Sequence, residues 1–445
     1  MDEVRYRSSR DDRTLRYAGR VLDRSRSIVL TADPAYLERY DGQVALMTGA
    51  NLIGRMTPSV VLGFGNVALH PSIPWPQASL HDAILEDLHA ADRFGRFCVR
   101  PPRDGDVGVH FGRTGQGLVA HGAGWNAYLG PGPSPIPEHP DGNPAGAALA
   151  AVLVAAQLFV HRLEPPLKPT LIDALRWQPT LSAETVEIPS ADLGRLLFVG
   201  LGSVGTAALY FLILGRRKFS ASLIDMDHVK VENLDRSPIF LDQDVGRLKV
   251  EAANAFLAAR GIENVAIDPR PLHESELWMG RSAGTPDAVI SAANEMNVRH
   301  HIESQYPPIQ IYGTTGRNWQ ASLIRHIPMV EACSSCLFPE ETPPSMMVCG
   351  GAPGSAIDER GEAVDASLPF LSFAAGLMAA VEFLKLDLPG YPFTASRMSL
   401  ASRPFPRPVA ARIPRRPTCA CRGRSSGIHG RMISGTRYAS LSGVR

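Results

Sequence analysis

An α/β protein whose doubly wound, mostly parallel sheet occurs twice along the chain is predicted by three observations. From residue 194 onward, short apolar strands alternate with helical segments, the pattern that stacks helices on both faces of a parallel sheet. The first of these strands runs into a glycine turn, Gly200-Leu201-Gly202-Ser203-Val204-Gly205. An alanine pattern also recurs, Ala150-Ala151-x-x-x-Ala155-Ala156-x-x-Phe159 in the first half and Ala374-Ala375-x-x-x-Ala379-Ala380-x-x-Phe383 in the second. At helical period these small residues form one close-packing stripe with a bulky residue at its end.

In the first half, the apolar residues 44–47 run into Thr48-Gly49-Ala50-Asn51-Leu52-Ile53-Gly54, as residues 196–199 run into Gly200. The matching order predicts a strand at 44–47 and a degenerate N-terminal copy beside an intact C-terminal one. The last helix of the first copy starts at Asn143-Pro144, a capping residue followed by a proline that a first turn accepts. In the second copy, residues 196–199 read as a buried strand, 204–214 as a helix and 221–224 as the next strand. A helix over 248–259 is closed by Gly261, and short strands follow at 265–267, 288–290 and 310–312. Pro165-Pro166 and Pro389-Gly390 punctuate the chain. They divide it into an N-terminal domain (1–170), a linker (171–193), a C-terminal domain (194–390) and a tail (391–445).

The formal charge of +1 hides an imbalance. Residues 388–445 hold 11 Arg and no Asp, Glu or Lys, which leaves 34 basic and 44 acidic side chains in residues 1–387. A body at −10 repels phosphate backbones, so charge argues against a nucleic-acid binder. The tail shows no apolar period and reads as a basic low-complexity arm for an acidic partner, or as translation of another reading frame. Six cysteines are too few for a disulfide framework and imply a reducing compartment. The N-terminus has no apolar signal region, and the apolar run at 145–160 is shorter than a bilayer requires; a soluble, cytoplasmic protein without a membrane partner is expected.

Asp225 lies 20 residues beyond Gly205, at the end of the next strand. There a carboxylate accepts hydrogen bonds from ribose hydroxyls while the glycines admit phosphates to a helix N-terminus. To this point the residues describe a Rossmann-like nucleotide turn, and an NAD-dependent enzyme remains one reading. The next stretch, Asp225-Met-Asp227-His-Val229-x-x-x-Asn233-Leu234-x-Arg236 and then Asp244-Val-Gly246-x-x-Lys249, resembles the family of ThiF, MoeB and the ubiquitin-activating enzymes, including two-half activating enzymes of bacterial conjugation systems. The resemblance covers roughly residues 196–386.

That resemblance implies ATP-dependent adenylation of the C-terminal glycine carboxylate of a ubiquitin-like protein. Gly200, Gly202, Gly205 and Asp225 would hold the nucleoside side, and Asn233, Arg236 and Lys249 the phosphates. Such chemistry asks for cations and alignment, and a carboxylate nucleophile needs no general base. Magnesium is implied too, although Asn294 stands where the family places an aspartate, with Asp227 as a substitute acid. The departure leaves open an inactive scaffold that only docks a partner.

The resemblance further points to Cys349, in the loop Cys349-Gly-Gly-Ala-Pro-Gly354, as the acceptor of a thioester passed on to a conjugating enzyme. A sulfur-carrier adenylyltransferase of the ThiF or MoeB type is the alternative. Cys333-Ser-Ser-Cys336 resembles half of a structural zinc site, for which Cys419-Ala-Cys421 offers a second half one residue short. The inactive half of such enzymes can lend an arginine to the ATP site, with Arg10, Arg13 and Arg16 as candidates. Relatives with a single copy dimerise; two fused copies reduce the need for a homodimer.

Overall fold

The computed structural model describes the chain except residues 138, 140–141, 182–191, 279–284, 294–295, 317, 338–355, 358–362, 365–367, 389, 423–424 and 444–445. The first unit runs α1 (Glu3–Ala18), β1 (Ile28–Ala32), α2 (Pro34–Leu37), α3 (Tyr40–Met56), β2 (Ser59–Leu62), α4 (Leu80–Ala91) and β3 (Arg96–Val99). It continues with β4 (Val107–Phe111), β5 (Leu118–Ala123), β6 (Asn126–Pro131), α5 (Ala145–Val160) and β7 (Thr170–Asp173). The second runs β8 (Asp192–Val199), α6 (Ser203–Leu214), β9 (Lys218–Ile224), α7 (Lys249–Ala258), β10 (Val265–Asp268), β11 (Ala288–Ser291), α8 (Met296–Ser304) and β12 (Ile309–Gly316). After β13 (Gln320–His326) and α9 (Ser334–Leu337) come a two-stranded ribbon, β14 (Ala356–Ile357) with β15 (Ala363–Val364), and then α10 (Pro369–Leu386), β16 (Arg397–Ala401), β17 (Arg407–Ala411) and α11 (Ser425–Ile433).

The two sheets repeat one topology. Their orders are β3-β2-β1-β4-β5-β6-β7 and β10-β9-β8-β11-β12-β13-β16-β17. In each, the first five strands are parallel and the later ones antiparallel. The expected duplicated α/β architecture is therefore present. The recurrent alanine pattern falls on topologically equivalent helices, α5 and α10, each lying between the same pair of antiparallel strands. At the N-terminus of α5, Asn143 Oδ1 accepts from the Ala145 N–H at 3.1 Å.

Two expectations fail. Residues 44–47 are not a strand: they lie inside the fully buried helix α3, and the first strand is Ile28–Ala32. Glycine in this segment serves packing rather than turning, because a Cβ on Gly49 would stand 2.6 Å from the Phe111 ring and one on Gly54 2.2 Å from Leu88 Cδ2. The tail is not an unstructured arm either. Residues 397–401 and 407–411 extend the second sheet beyond β13, with Met398 and Leu400 turned into the core.

The units meet where α3 and α5 of the first pack against α6 and α10 of the second, around a small gap lined by Val44, Ala148, Phe211 and Val381. Helix α10 is long and apolar enough to cross a membrane, yet all of it is buried in protein. It packs on α6 so closely that a Cβ on Gly376 would fall 2.4 Å from that of Ala207. Its two charges, Glu382 and Lys385, join a buried network. Lys385 Nζ lies 2.5 Å from Glu382 Oε1, which also accepts from Trp177 Nε1, just after β7, at 3.2 Å. Glu382 pairs with Arg325 of β13 as well, and Arg325 reaches Glu331 Oε1 at 2.5 Å.

Candidate nucleotide site and cysteine cluster

A doubly wound sheet binds ligands beyond the C-terminal ends of its strands, where the strand order reverses. In the second sheet that crevice lies between β8 and β11, and the glycine turn fills it. Gly200 has φ +88°, which a side-chain-bearing residue rarely adopts, and a Cβ there would come 3.0 Å from the Ala293 N. A Cβ on Gly205 would lie 2.2 Å from the Gly200 carbonyl oxygen, so only glycine lets the first turn of α6 close under the loop. Gly202, the N-cap of α6, faces open space. The backbone N–H groups of a twelve-residue helix thus point at a cradle suited to an anion, open at Gly202 among the described residues. Ser372 of α10 donates to Ser203 Oγ at 2.8 Å and steadies that first turn.

Asp225 follows β9 and is almost wholly buried. Its Oδ2 accepts from the Leu201 N–H at 2.6 Å and its Oδ1 from the Asp227 N–H at 2.9 Å, so the carboxylate ties the glycine turn to the next strand. Each oxygen retains acceptor capacity for a hydroxyl. Burial raises the Asp225 pKa, and the nearby Lys249 opposes that rise. Lys249, the first residue of α7, places Nζ 2.6 Å from Asp227 Oδ2 and 3.7 Å from Asp225 Oδ1. The structure thus brings the glycine turn, Asp225, Asp227 and Lys249 together.

Asn233 shapes the same rim from within, its Oδ1 accepting from the Lys230 N–H at 2.8 Å to close the single helical turn Val231–Asn233. Arg236 follows, nearly fully buried, with Nη1 on Asp235 Oδ1 at 2.8 Å. Of the three candidate arginines on α1, only Arg13 reaches this turn: its Nη2 lies 3.0 Å from Glu232 Oε1. Arg10 is buried against Asp92 of its own unit, and Arg16 pairs with Asp12 on the exposed face at 3.0 Å. Asn294 and Cys349 lie outside the described residues.

Several groups at this junction were not legible as site residues. Thr14 Oγ1 donates to Asp235 Oδ2 at 2.9 Å. Arg55 of α3 donates to the carbonyls of Leu234 at 2.6 Å and Pro238 at 2.9 Å, holding the whole 234–240 segment from the other unit. Burial lowers its pKa to about 9. The only sequence sign was Asn51, one helical turn away, which accepts from Arg55 Nε at 2.7 Å.

Cys333 and Cys336, at the start of α9, face Cys419 and Cys421 beyond β17, and all four Sγ atoms lie within 4.8 Å of one another. The Sγ separations are 3.7 Å for Cys333–Cys336, 3.4 Å for Cys333–Cys419 and 3.6 Å for Cys336–Cys421. Four thiolates about 2.3 Å from one zinc ion stand about 3.8 Å apart at tetrahedral angles, so the set fits zinc. The short Cys-Ala-Cys spacing is accommodated because these residues approach from a single 3-10 turn, Ala420–Arg422. Glu303 caps α9, accepting from the Ser335 N–H at 3.0 Å and from Ser335 Oγ at 2.9 Å, and so sets the orientation of the Cys333–Cys336 turn.

The human ubiquitin-like modifier-activating enzyme 7 is 28% identical over 144 residues, covering 29% of this chain and 14% of that protein. The molybdopterin-synthase adenylyltransferase of Salmonella typhimurium is 32% identical over 110 residues, 25% of this chain and 43% of that protein. The SAMP-activating enzyme E1 of Haloferax volcanii is 26% identical over 199 residues, 40% of this chain and 72% of that protein. The chain thus spans less than half the length of the first two. Among solved structures, Escherichia coli MccB with ATP aligns at 18% identity and a TM-score of 0.40, over 52% of this chain and 66% of that one. The ThiF family model matches residues 191–419, over half of the sequence, including the glycine turn, Asp225, Arg236, Lys249 and three of the four clustered cysteines, and the chain belongs to the ThiF family.

Proposed function

We propose that the chain is an ATP-dependent adenylating enzyme that activates the C-terminal carboxylate of a ubiquitin-like protein. The observation that carries this reading is the convergence of Asp225 and Lys249 on the glycine cradle, with Arg236 and the N-terminal unit's Arg13 on the adjoining turn. In the reaction a carboxylate oxygen of the modifier bonds to the α-phosphorus of ATP as the bond to the β-phosphate bridging oxygen breaks, giving acyl-adenylate and pyrophosphate. Negative charge builds on the phosphoryl oxygens and the departing pyrophosphate, and the cationic side chains stabilise it. Asp225 accepts from the ribose hydroxyls. Magnesium would be held by oxygen ligands, for which Asp227 supplies the carboxylate; it now bonds Lys249 and would exchange that contact for the ion.

Residues 194–390 act as the catalytic domain in this reading, and residues 1–170 as an inactive copy. The inactive role is supported by the crevice of the first sheet, where Asp33 stands in place of a glycine turn. Its carboxylate accepts from the Arg113 N–H at 2.6 Å, the Thr114 N–H at 2.9 Å and Thr114 Oγ1 at 2.7 Å, filling the space a phosphate would need. Cys349 is assigned the later thioester step, in which its thiolate takes the acyl group from AMP. A sulfur-carrier reading is favoured by the similarity to the molybdopterin-synthase adenylyltransferase; it ends in a thiocarboxylate rather than a protein thioester.

Magnesium-dependent exchange of pyrophosphate into ATP, measured with the modifier present, tests the proposal. Lys249→Ala is expected to slow exchange by roughly 100-fold, the scale on which loss of one electrostatic stabiliser acts. Arg13→Ala should slow it by about 10-fold, since its charge is shared with Glu232. Wild-type nucleotide binding without any exchange would favour the inactive scaffold.

A further inference from the structure

We propose that Thr14 and Asp235 form a positioning relay that aims Arg236 at the nucleotide phosphates, so that the N-terminal unit sets the geometry of a site it does not itself contain. The inference rests on the phosphate role given to Arg236 above.

All three residues are buried: Thr14 is 6% exposed, Asp235 1% and Arg236 2%. The Asp235 carboxylate divides its oxygens between the units. Oδ2 takes the Thr14 hydroxyl from α1, and Oδ1 takes one Nη of Arg236. A guanidinium is a rigid plane with five donors, so a charge-assisted bond at one nitrogen narrows the directions open to the others. The Asp235 side chain cannot swing to follow Arg236 without giving up Thr14. The hydroxyl therefore locks the carboxylate, and the carboxylate locks the arginine.

The choice of partners matters. Thr14 is neutral, so it holds the carboxylate without competing electrostatically with Arg236 for it. Charged groups around the pair are Arg10, Asp11 and Arg13 from α1, and Glu232 from the facing turn. Burial drives the Asp235 pKa up, to about 6, against the lowering effects of Arg236, Thr14 and Arg10. As pH falls through that value the carboxylate is neutralised and its hold on Arg236 weakens. The hydroxyl bond favours the charged form, so its loss moves the transition to higher pH.

The test compares binding of MgATP and of adenosine by calorimetry across pH 5 to 8, using the full chain. Adenosine carries no phosphate and reports an intact nucleoside site and fold. Asp235→Asn is expected to weaken MgATP by about 10-fold, Thr14→Val by about 3-fold, and Thr14→Ser by less than about 2-fold, with adenosine unchanged throughout, the scale of a hydrogen bond to a charged group. The wild-type MgATP affinity should decline below pH about 6, the decline should shift upward in Thr14→Val, and it should be missing in Asp235→Asn. Arg236→Ala separates the two levels. If it weakens MgATP by 10-fold or more while Asp235→Asn and Thr14→Val bind like wild type, the relay is wrong and the phosphate role stands. If Arg236→Ala itself binds MgATP like wild type, the phosphate role falls and takes the relay with it.

Discussion

Protein carrying Cys336→Ser should emerge from purification with no zinc, and the wild-type chain with about one ion. Tetrahedral zinc sites of this kind are closed by four thiolates, and serine is a poor replacement for one. Loss of the ion would also remove a link between two stretches of chain about eighty-five residues apart. Cys333 and Cys336 sit on the chain after β13, whereas Cys419 and Cys421 lie beyond the last strand of the sheet, and the four pack against one another with Ala332 and Ile413 beside them. Structural zinc ions in small peptides contribute on the order of 10 kcal/mol to folding. Here the core of the second unit stands without them, so the loss should concentrate on residues 413–443, seen as rapid proteolysis there with the rest of the chain resistant. Acidification should release zinc in the same way, because protons compete for the thiolates. A wild-type chain that contains no metal after purification in zinc-supplemented buffer would sink this assignment.

Glu382→Ala is expected to destabilise the protein by about 3–5 kcal/mol, the cost of leaving buried charges without their counterion. Glu382 is 1% exposed and bonds to Arg325, Lys385 and Trp177 at once. Its removal leaves two buried cations, Arg325 with Glu331 and Lys385 with the charge of Asp173, and strips the acceptor from the Trp177 indole. Burial raises the Glu382 pKa, but Lys385 and Arg325 outweigh burial and hold it below the usual carboxylate range. Its stabilisation is therefore complete above the unfolded-state value and is lost as pH falls through the lower folded-state value. Urea unfolding of wild type and variant at neutral pH would measure the difference, and a midpoint unchanged by the substitution would refute the account. A conversion of the whole network to apolar residues of equal volume should cost far less, since desolvation then disappears together with the attraction.

Much of the second unit could be read from residues alone, because strand, glycine turn, acid and cation follow one another within about fifty positions and local pattern carries the geometry. The first unit could not be read in this way. Val44 to Met47 followed by glycine has the look of a strand entering a turn, whereas Gly49 and Gly54 are small for the sake of Phe111 and Leu88, neighbours brought in by the tertiary fold. The true first strand, Ile28–Ala32, carried its signal in a short apolar run ended by Asp33-Pro34. The final strands escaped notice because five residues each give too little periodicity among so many arginines, and only the edge of β13 makes them strands. Local pattern also gave no access to pairs such as Arg13 with Glu232 or Thr14 with Asp235, which are more than two hundred residues apart.

Helix α1 crosses from one unit to the turn of the other within a single polypeptide, and this governs how the protein behaves on dilution. Two separate subunits would part at low concentration and lose the arginine and hydroxyl that one lends the other; a covalent tether keeps their local concentration in the millimolar range whatever the bulk value. Activity per molecule should therefore stay constant from nanomolar to micromolar protein. Fusion also removes the self-complementarity that a two-fold dimer imposes, in which every substitution appears on both sides of the interface. Freed from that constraint, the two copies can differ in sequence at equivalent positions, as Asp33 in the first crevice differs from the glycine turn in the second.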